Sequence, residues 1–106
     1  MINEARLEKA LSYLASTDEP CAELKADVGR SEYKAKSQKA TAFLHYEGTV
    51  AEREASALTN EVVRKSYDEH FKAIRDYQAM ANKRSLEVLV VDVWRSMNAN
   101  RRTGNV

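Results

Sequence analysis

The sequence predicts an all-α fold, a long antiparallel helical hairpin with a short N-terminal helix, and three observations support it. The chain after Pro20, its only proline, runs about eighty residues with Gly29 and Gly48 as the only strong helix breakers. Apolar side chains recur every three or four residues, as on one face of a helix. At Gly48 a helix stop signal meets a start signal, which predicts a chain reversal.

The short helix is expected over residues 3–15. Asn3 is a suitable N-cap, and four apolar residues follow at helical spacing. They are Leu7, Ala10, Leu11 and Leu14. The residues 16–19, Ser-Thr-Asp-Glu, have the form of a capping box, and Pro20 then suits the first turn of a new helix. A break near Ala15 follows from this pattern.

The second helix is expected over residues 20–47. It carries a thin apolar stripe, as paired helices do. The stripe consists of Leu24, Val28, Ala35, Ala42 and Tyr46, and Phe43 and Leu44 widen it near the turn. Gly48 supplies the left-handed residue that closes a helix, and Thr49 with Glu52 forms a second capping box. These residues predict a tight reversal at Gly48.

A third, long helix is expected over residues 50–100, followed by a polar tail, 101–106. Its near-heptad series is Tyr67, His70, Ile74, Tyr77, Ala81, a break at Arg84, Val88 and Val91. A second stripe opens beside this series and comprises Leu86, Val90, Val93 and Met97. The segment 86–94 has strand propensity, but no other segment could pair with it, so we predict helix there.

The length of 106 residues limits the chain to a single domain, 1–106. A rod-like hairpin has a large surface for its mass and can bury little by itself. We therefore expect a homo-oligomer whose partner chains complete the core. The interface is predicted at the end of the third helix, through Val90, Val93, Trp94 and Met97.

No catalytic or cofactor-binding motif is recognisable. The two histidines, His45 and His70, stand on different helices, and His70 is better explained as a hydrogen-bonded seam residue than as a ligand or base. Cys21, the single cysteine, is a structural thiol unless a histidine lies beside it as a nucleophile partner. We predict no enzyme activity, no catalytic residue, no metal and no cofactor. Without a signal peptide or an apolar span, we expect a cytoplasmic protein with no membrane partner.

A basic stretch on the second helix is the candidate binding site. Its members are Arg30, Tyr33, Lys34, Lys36 and Lys39. The cations occupy two adjacent rows with an aromatic ring among them, a pattern that holds single-stranded nucleic acid without sequence preference. Arg101 and Arg102 in the tail are further candidates. The alternative is a solvated face of an exposed helix, because the net charge of the chain is only +1.

The chain resembles the small phage recombination mediators of the UvsY type, and uncharacterised proteins of temperate phages. The resemblance covers about residues 10 to 102 in outline. It is carried by the lysine-rich helix from Tyr33, the Tyr-Glu-Gly that ends at Gly48 and the hydrophobic helix end from Val90 to Met97. It implies an oligomeric helical protein of the bacterial cytoplasm that binds single-stranded DNA through Lys34, Lys36 and Lys39 and self-assembles through residues 89–97.

Two functions therefore follow as hypotheses. The first is a non-enzymatic phage recombination accessory protein that binds single-stranded DNA and helps load a recombinase or annealing protein. The second is a coiled-coil interaction or scaffold protein of phage origin that binds another protein without nucleic acid. They differ in salt dependence, because binding to phosphates weakens steeply as salt rises.

Overall fold

The computed structural model describes residues 2–104, and 91% of this part of the chain is helical. Helix α1 spans Glu4–His45, α2 spans Val50–Thr59 and α3 spans Glu61–Arg102. Residues 2–104 contain no strand, and the strand-prone segment 86–94 lies inside α3. The predicted all-α class is confirmed.

The chain divides into two compact units. Unit 1 consists of the described parts of Met1–Ala22 and Gln78–Val106, and unit 2 is Glu23–Tyr77. The single domain over 1–106 stays a prediction, because compact units of this kind can belong to one domain. Each unit contains a segment of α1 and a segment of α3, and α2 belongs to unit 2.

The two helix segments run antiparallel in unit 1. Arg6 of α1 pairs with Glu87 of α3, and the carbonyl of Leu14, two turns further along α1, accepts a hydrogen bond from Arg84. The α3 partner thus moves toward the N-terminus as the α1 residue moves toward the C-terminus.

Unit 2 shows the same antiparallel order. Ser31 lies 3.0 Å from the Nδ1 atom of His70, and Lys34 donates to Glu69. The pairing agrees with the predicted helical hairpin.

The inward face of α1 follows an unbroken alternation of three- and four-residue steps. Every member is buried or half-buried, as in the seam of a coiled coil. The members are Ala10, Leu14, Thr17, Cys21, Leu24, Val28, Ser31, Ala35, Gln38 and Ala42. The predicted stripe of the second helix agrees with this seam from Leu24 to Ala42, and Tyr46 beyond it is half-buried.

The seam of α3 has the same spacing, but alternate positions differ from the predicted series. Its members are Val63, Ser66, His70, Ala73, Tyr77, Met80, Arg84, Glu87, Val91, Trp94 and Asn98. The predicted Ile74 and Val88 are exposed, whereas Ala73 and Glu87, one residue earlier, face inward. Ala73 has only a methyl group to bury, and Glu87 is hydrogen-bonded to Arg6 across the seam, so each inward position has its own explanation.

The predicted break at residues 16–19 does not occur, because α1 continues through Pro20. A proline inside a helix removes one hydrogen bond and costs about 3 kcal/mol. Beside this turn, Arg84 ties α3 to α1 by donating to the Leu14 carbonyl and to the Thr17 hydroxyl, although neither is the Ser16 carbonyl that lacks its donor at Pro20. The seam spacing also runs through Pro20 without interruption, so the first two predicted helices are one.

The predicted long helix 50–100 is divided at Asn60. The backbone of Asn60 is extended, with φ −61° and ψ 130°. Its Oδ1 accepts from the backbone N–H groups of Val62 and Val63, which caps α3, and its Nδ2 donates to the Tyr46 hydroxyl at 3.1 Å. Helix α3 then continues to Arg102, so the predicted tail 101–106 begins as helix; residues 105 and 106 lie outside the described residues.

The reversal at Gly48 is confirmed. Gly48 has φ +118°, and Thr49 caps α2 by accepting a hydrogen bond from the Glu52 backbone N–H at 3.2 Å. The Glu52 carboxylate lies against Gly48, in the place that a Cβ atom would take. Positive φ requires glycine here, and an added Cβ would also push the flexible end of the Glu52 side chain aside.

We predict that Gly48→Ala lowers the free energy of unfolding by about 1–3 kcal/mol, because alanine would adopt a strained backbone and displace Glu52. Gly29→Ala is the matched control: Gly29 lies inside α1 with open space around it, so the exchange should stabilise by about 0.5–1 kcal/mol. Urea unfolding followed by circular dichroism measures both. Equal effects of the two exchanges would contradict the role assigned to Gly48.

Candidate functional site

The structure pairs most cations of the predicted basic stretch with carboxylates. Arg30 donates to Asp27 at 2.5 Å and to Glu23 at 3.2 Å. These hydrogen bonds, the one from Asp27 first, raise the pKa of the Arg30 guanidinium. The Arg30 charge is therefore largely compensated on its own helix face.

Two of the lysines are paired as well. Lys34 reaches across to Glu69 of α3 at 3.1 Å, and Lys36 pairs with Glu32 one turn before it at 2.8 Å. The hydrogen bond between Lys36 and Glu32 raises the pKa of the lysine and lowers that of the carboxylate. An anionic ligand would have to compete with both carboxylates, although exposed pairs of this kind are worth only about 0–1 kcal/mol each.

Lys39 and Tyr33 are the members of the stretch that remain available. Lys39 is half-buried and has no ion pair within residues 2–104. The Tyr33 side chain is 77% exposed on α1. The structure thus leaves one uncompensated cation and one exposed aromatic ring where the sequence suggested four cations around a ring.

Arg101 and Arg102 lie in the last turn of α3, where cations complement the helix dipole. They belong to unit 1, whereas the basic stretch belongs to unit 2. Arg101 lines a shallow pocket together with Ile2, Trp94 and Met97.

The predicted interface residues do not form one exposed patch. Trp94 is a seam residue, and with Met97 it lines the shallow pocket beside Ile2, so both are half-buried. Val90 is half-buried, and Val93 is exposed. Part of the predicted interface is thus used within the chain itself.

Apolar residues instead form a row on the outward side of α3. We call it the outer row, and its members are the exposed Leu86, Leu89 and Val93 and the half-buried Val90. Leu89 is 57% exposed because it lies two residues from Glu87 and from Val91, and residues two apart point in nearly opposite directions on a helix. The predicted interface set of Val90, Val93, Trp94 and Met97 does not include Leu89, although the segment 89–97 that the resemblance implies for self-assembly does.

A second apolar region lies in unit 2, near the chain reversal. We call it the tip groove, and its lining consists of Lys36, Lys39, Ala40, Phe43, Leu44, Glu54 and Tyr67. Leu44 is 74% exposed, and the Arg53 guanidinium stacks 4.4 Å from the centre of the Phe43 ring. The sequence analysis placed Phe43 and Leu44 in an inward stripe and did not identify this groove.

His70 is hydrogen-bonded in the seam, as predicted. The Ser31 hydroxyl lies 3.0 Å from the Val28 carbonyl oxygen and 3.0 Å from His70 Nδ1, so it is hydrogen-bonded to both groups, and the tautomer of His70 decides which partner donates in the second bond. Cys21 is half-buried in the seam of α1. Within residues 2–104, no group of histidine, cysteine, aspartate or glutamate side chains could hold a metal ion.

Unit 1 also contains an ion pair between α1 and α3 that the sequence did not reveal. Arg6 donates two hydrogen bonds to the Glu87 carboxylate, at 2.7 and 2.8 Å. The Glu87 side chain is only 10% exposed. These hydrogen bonds hold the pKa of Glu87 below its usual range, against the opposing effect of burial. The two charge-assisted hydrogen bonds from Arg6 explain why a glutamate can be buried at this seam position.

Comparison of the chain with protein families, with curated proteins and with solved structures found no match. Among the described residues, no helix is both long enough and apolar enough to cross a membrane.

The Glu87 pair predicts how stability depends on pH. The pKa of Glu87 is lower in the folded chain than its unfolded value of about 4.3, so its contribution is present above that pH and is lost as the pH falls through the folded pKa. Glu87→Gln should therefore lower stability at pH 7, and the difference from the unmodified chain should shrink below about pH 4.

Urea unfolding at a series of pH values measures this difference. Glu8→Gln, at an exposed position of α1, is the matched control and should show no comparable dependence. A gap between Glu87→Gln and the unmodified chain that stays constant with pH would contradict the assignment.

Proposed function

We propose that this protein is a non-enzymatic helical scaffold protein that assembles with copies of itself through the outer row. The observation that carries the proposal is the exposure of Leu86, Leu89 and Val93 on the side of α3 that faces away from its seam. Apolar residues at steps of three and four on one face are what a second helix packs against.

The small interior of the chain supports this proposal. The buried hydrophobic residues of the described chain are Ala10, Ala35, Ala42, Ala57 and Val63, of which four are alanines. An alanine contributes only one methyl group of burial, at about 0.8 kcal/mol per buried carbon. A chain with so little buried apolar area gains most from burying its outward apolar residues against a partner.

The polar seam residues support a structural role for the candidate chemical groups. His70 is bonded to Ser31, and Glu87 is bonded to Arg6. No buried side-chain nitrogen or oxygen of residues 2–104 lacks a hydrogen-bond partner. The side chains that could take part in catalysis, His70 and Glu87, are thus engaged in hydrogen bonds between the helices. This favours a role in assembly over catalysis.

We predict that Leu89→Asp with Val93→Asp reduces the assembly in size, because two charges would be buried in the outer-row interface. Both residues are exposed, so the helix content of the variant should stay unchanged. Sedimentation velocity at micromolar concentration gives the mass, and circular dichroism gives the helix content.

The control is the pair Leu11→Asp and Val62→Asp, which makes the same chemical change at two exposed apolar residues outside the outer row. It should leave the mass unchanged. A monomeric unmodified chain, or a double aspartate variant that assembles as before, would rule out the outer row as an interface.

Single-stranded DNA binding is the second candidate, and the exposure of Tyr33 beside cationic residues favours it. A ring that is 77% exposed is available for stacking on a base, and Lys39 has no carboxylate partner among residues 2–104. Binding would have to draw Lys34 from Glu69 and Lys36 from Glu32. The resemblance to the UvsY-type mediators adds the loading of a phage recombinase or annealing protein to this candidate.

We predict for this candidate that Lys34→Gln, Lys36→Gln and Lys39→Gln together abolish binding to a labelled homopolymeric oligonucleotide at low salt. Each phosphate contact contributes about 0.7 to the slope of log affinity against log salt for a single strand. Glutamine is used because glutamate at Lys34 or Lys36 would repel Glu69 or Glu32 and disturb the helices.

Fluorescence anisotropy measures the affinity, with Lys9→Gln, Lys25→Gln and Lys65→Gln as a control of equal charge change. The control variant should bind as the unmodified chain does. If the unmodified chain shows no affinity at low salt, the DNA-binding candidate is excluded.

A further inference from the structure

The tip groove exposes large apolar side chains that the chain itself does not cover. Leu44 is exposed on α1, and the half-buried Phe43 and Tyr67 lie beside it in the lining. The exposed ring of Phe71 is 6.3 Å from that of Tyr67 and adds to the same region of α3. Contiguous apolar surface of this kind marks an interface.

The groove also contains two opposite charges that have no ion-pair partner within residues 2–104. Lys39 is on α1, and Glu54 is on α2. Their neighbour Lys36 is already paired with Glu32, at 2.8 Å. The groove therefore offers one uncompensated cation and one uncompensated anion, on different helices, around an apolar centre.

This charge distribution is complementary to itself. At a two-fold axis the same patch of both copies meets, so that Lys39 of one copy can face Glu54 of the other, and the reverse. A wholly acidic partner would face Glu54 with a like charge, and a wholly basic one would face Lys39 in the same way. We infer that the tip groove is a self-association surface, in which a second copy of this chain binds about a two-fold axis.

The inference rests on the proposed scaffold function and adds a second interface to it. The outer row lies in unit 1, and the tip groove lies in unit 2. A subunit with two separate interfaces forms assemblies larger than a dimer. Removal of the outer row should then leave a dimer held by the groove.

Charge reversal in the full chain tests the groove, in the background of Leu89→Asp with Val93→Asp. This background should be a dimer held by the groove. Lys39→Glu alone, or Glu54→Lys alone, should raise the dimer dissociation constant at least about tenfold. Each exchange creates two like-charge contacts in the dimer, one on each side of the two-fold axis. Lys39→Glu combined with Glu54→Lys should restore the dimer, since the two charges are merely exchanged. Sedimentation equilibrium measures the dissociation constant, and circular dichroism confirms equal helix content.

Matched controls are Lys25→Glu and Glu8→Lys, which make the same charge changes at exposed positions of α1 outside the groove. They should leave the dissociation constant unchanged. The inference is overturned if the background is monomeric, if the single reversals dissociate no more than the controls, or if the combined variant fails to recover with its helix content intact. It is also overturned if Lys39→Glu weakens and Glu54→Lys strengthens oligonucleotide binding with no change in mass, because the groove would then hold nucleic acid.

The outer row is judged separately, in the unmodified chain. If Leu89→Asp with Val93→Asp leaves the mass of the assembly unchanged, the outer-row interface fails. The single and combined reversals are then measured in the unmodified chain, where the same pattern of loss and recovery supports the groove and its absence overturns it.

Discussion

The narrow seam between α1 and α3 is the constraint on which the other features depend. Two helices that pair closely can bury only one row of side chains each, and the row must follow steps of three and four residues. In this chain the row is filled by alanine, serine, threonine and glutamine as well as by larger apolar residues. Apolar residues that lie off this single row stay on the outside, and they form the outer row and the tip groove.

The polar residues of the seam contribute less hydrophobic stabilisation than apolar residues would, but they fix the alignment of α1 against α3. In unit 1, Arg84 can reach both the Leu14 carbonyl and the Thr17 hydroxyl only at one alignment of the helices. In unit 2, the same holds for the Ser31 hydroxyl beside His70. A seam of small apolar residues alone could slide by one heptad at little cost, whereas each of these groups would lose its partner. Polar groups at single seam positions are known to select register in this way.

The sequence predicts the helical class and the reversal at Gly48 because those depend on local chemistry. Positive φ at a glycine and a threonine N-cap act within a few residues. The break at Pro20 was predicted for the same local reasons and is wrong, because α1 also packs against α3 there, and local rules do not include that pairing. The cap at Asn60 was missed because asparagine alone, with no glycine or proline beside it, is a weak signal.

The sequence was sufficient to predict which residue types make up the candidate site, but not which carboxylates form ion pairs with its cations. The cations of α1 are visible in the sequence, and two of their carboxylates, Asp27 and Glu32, lie within one turn of them. Glu69 belongs to a different helix, so only the helix alignment reveals that it compensates Lys34. The tip groove depends on the position of Glu54 relative to Leu44, which the reversal determines.

The distances along the chain between bonded residues also bear on the order in which the protein folds. The Tyr46 to Asn60 bond closes a segment of 14 residues, and the Ser31 to His70 contact closes one of 39. The Arg6 to Glu87 pair joins residues 81 apart. The entropy lost on closing a segment rises with its length. Contacts between the helices are therefore favoured to form first beside the reversal and then progressively closer to the chain ends. The bidentate pair at Glu87 then completes the process rather than starting it.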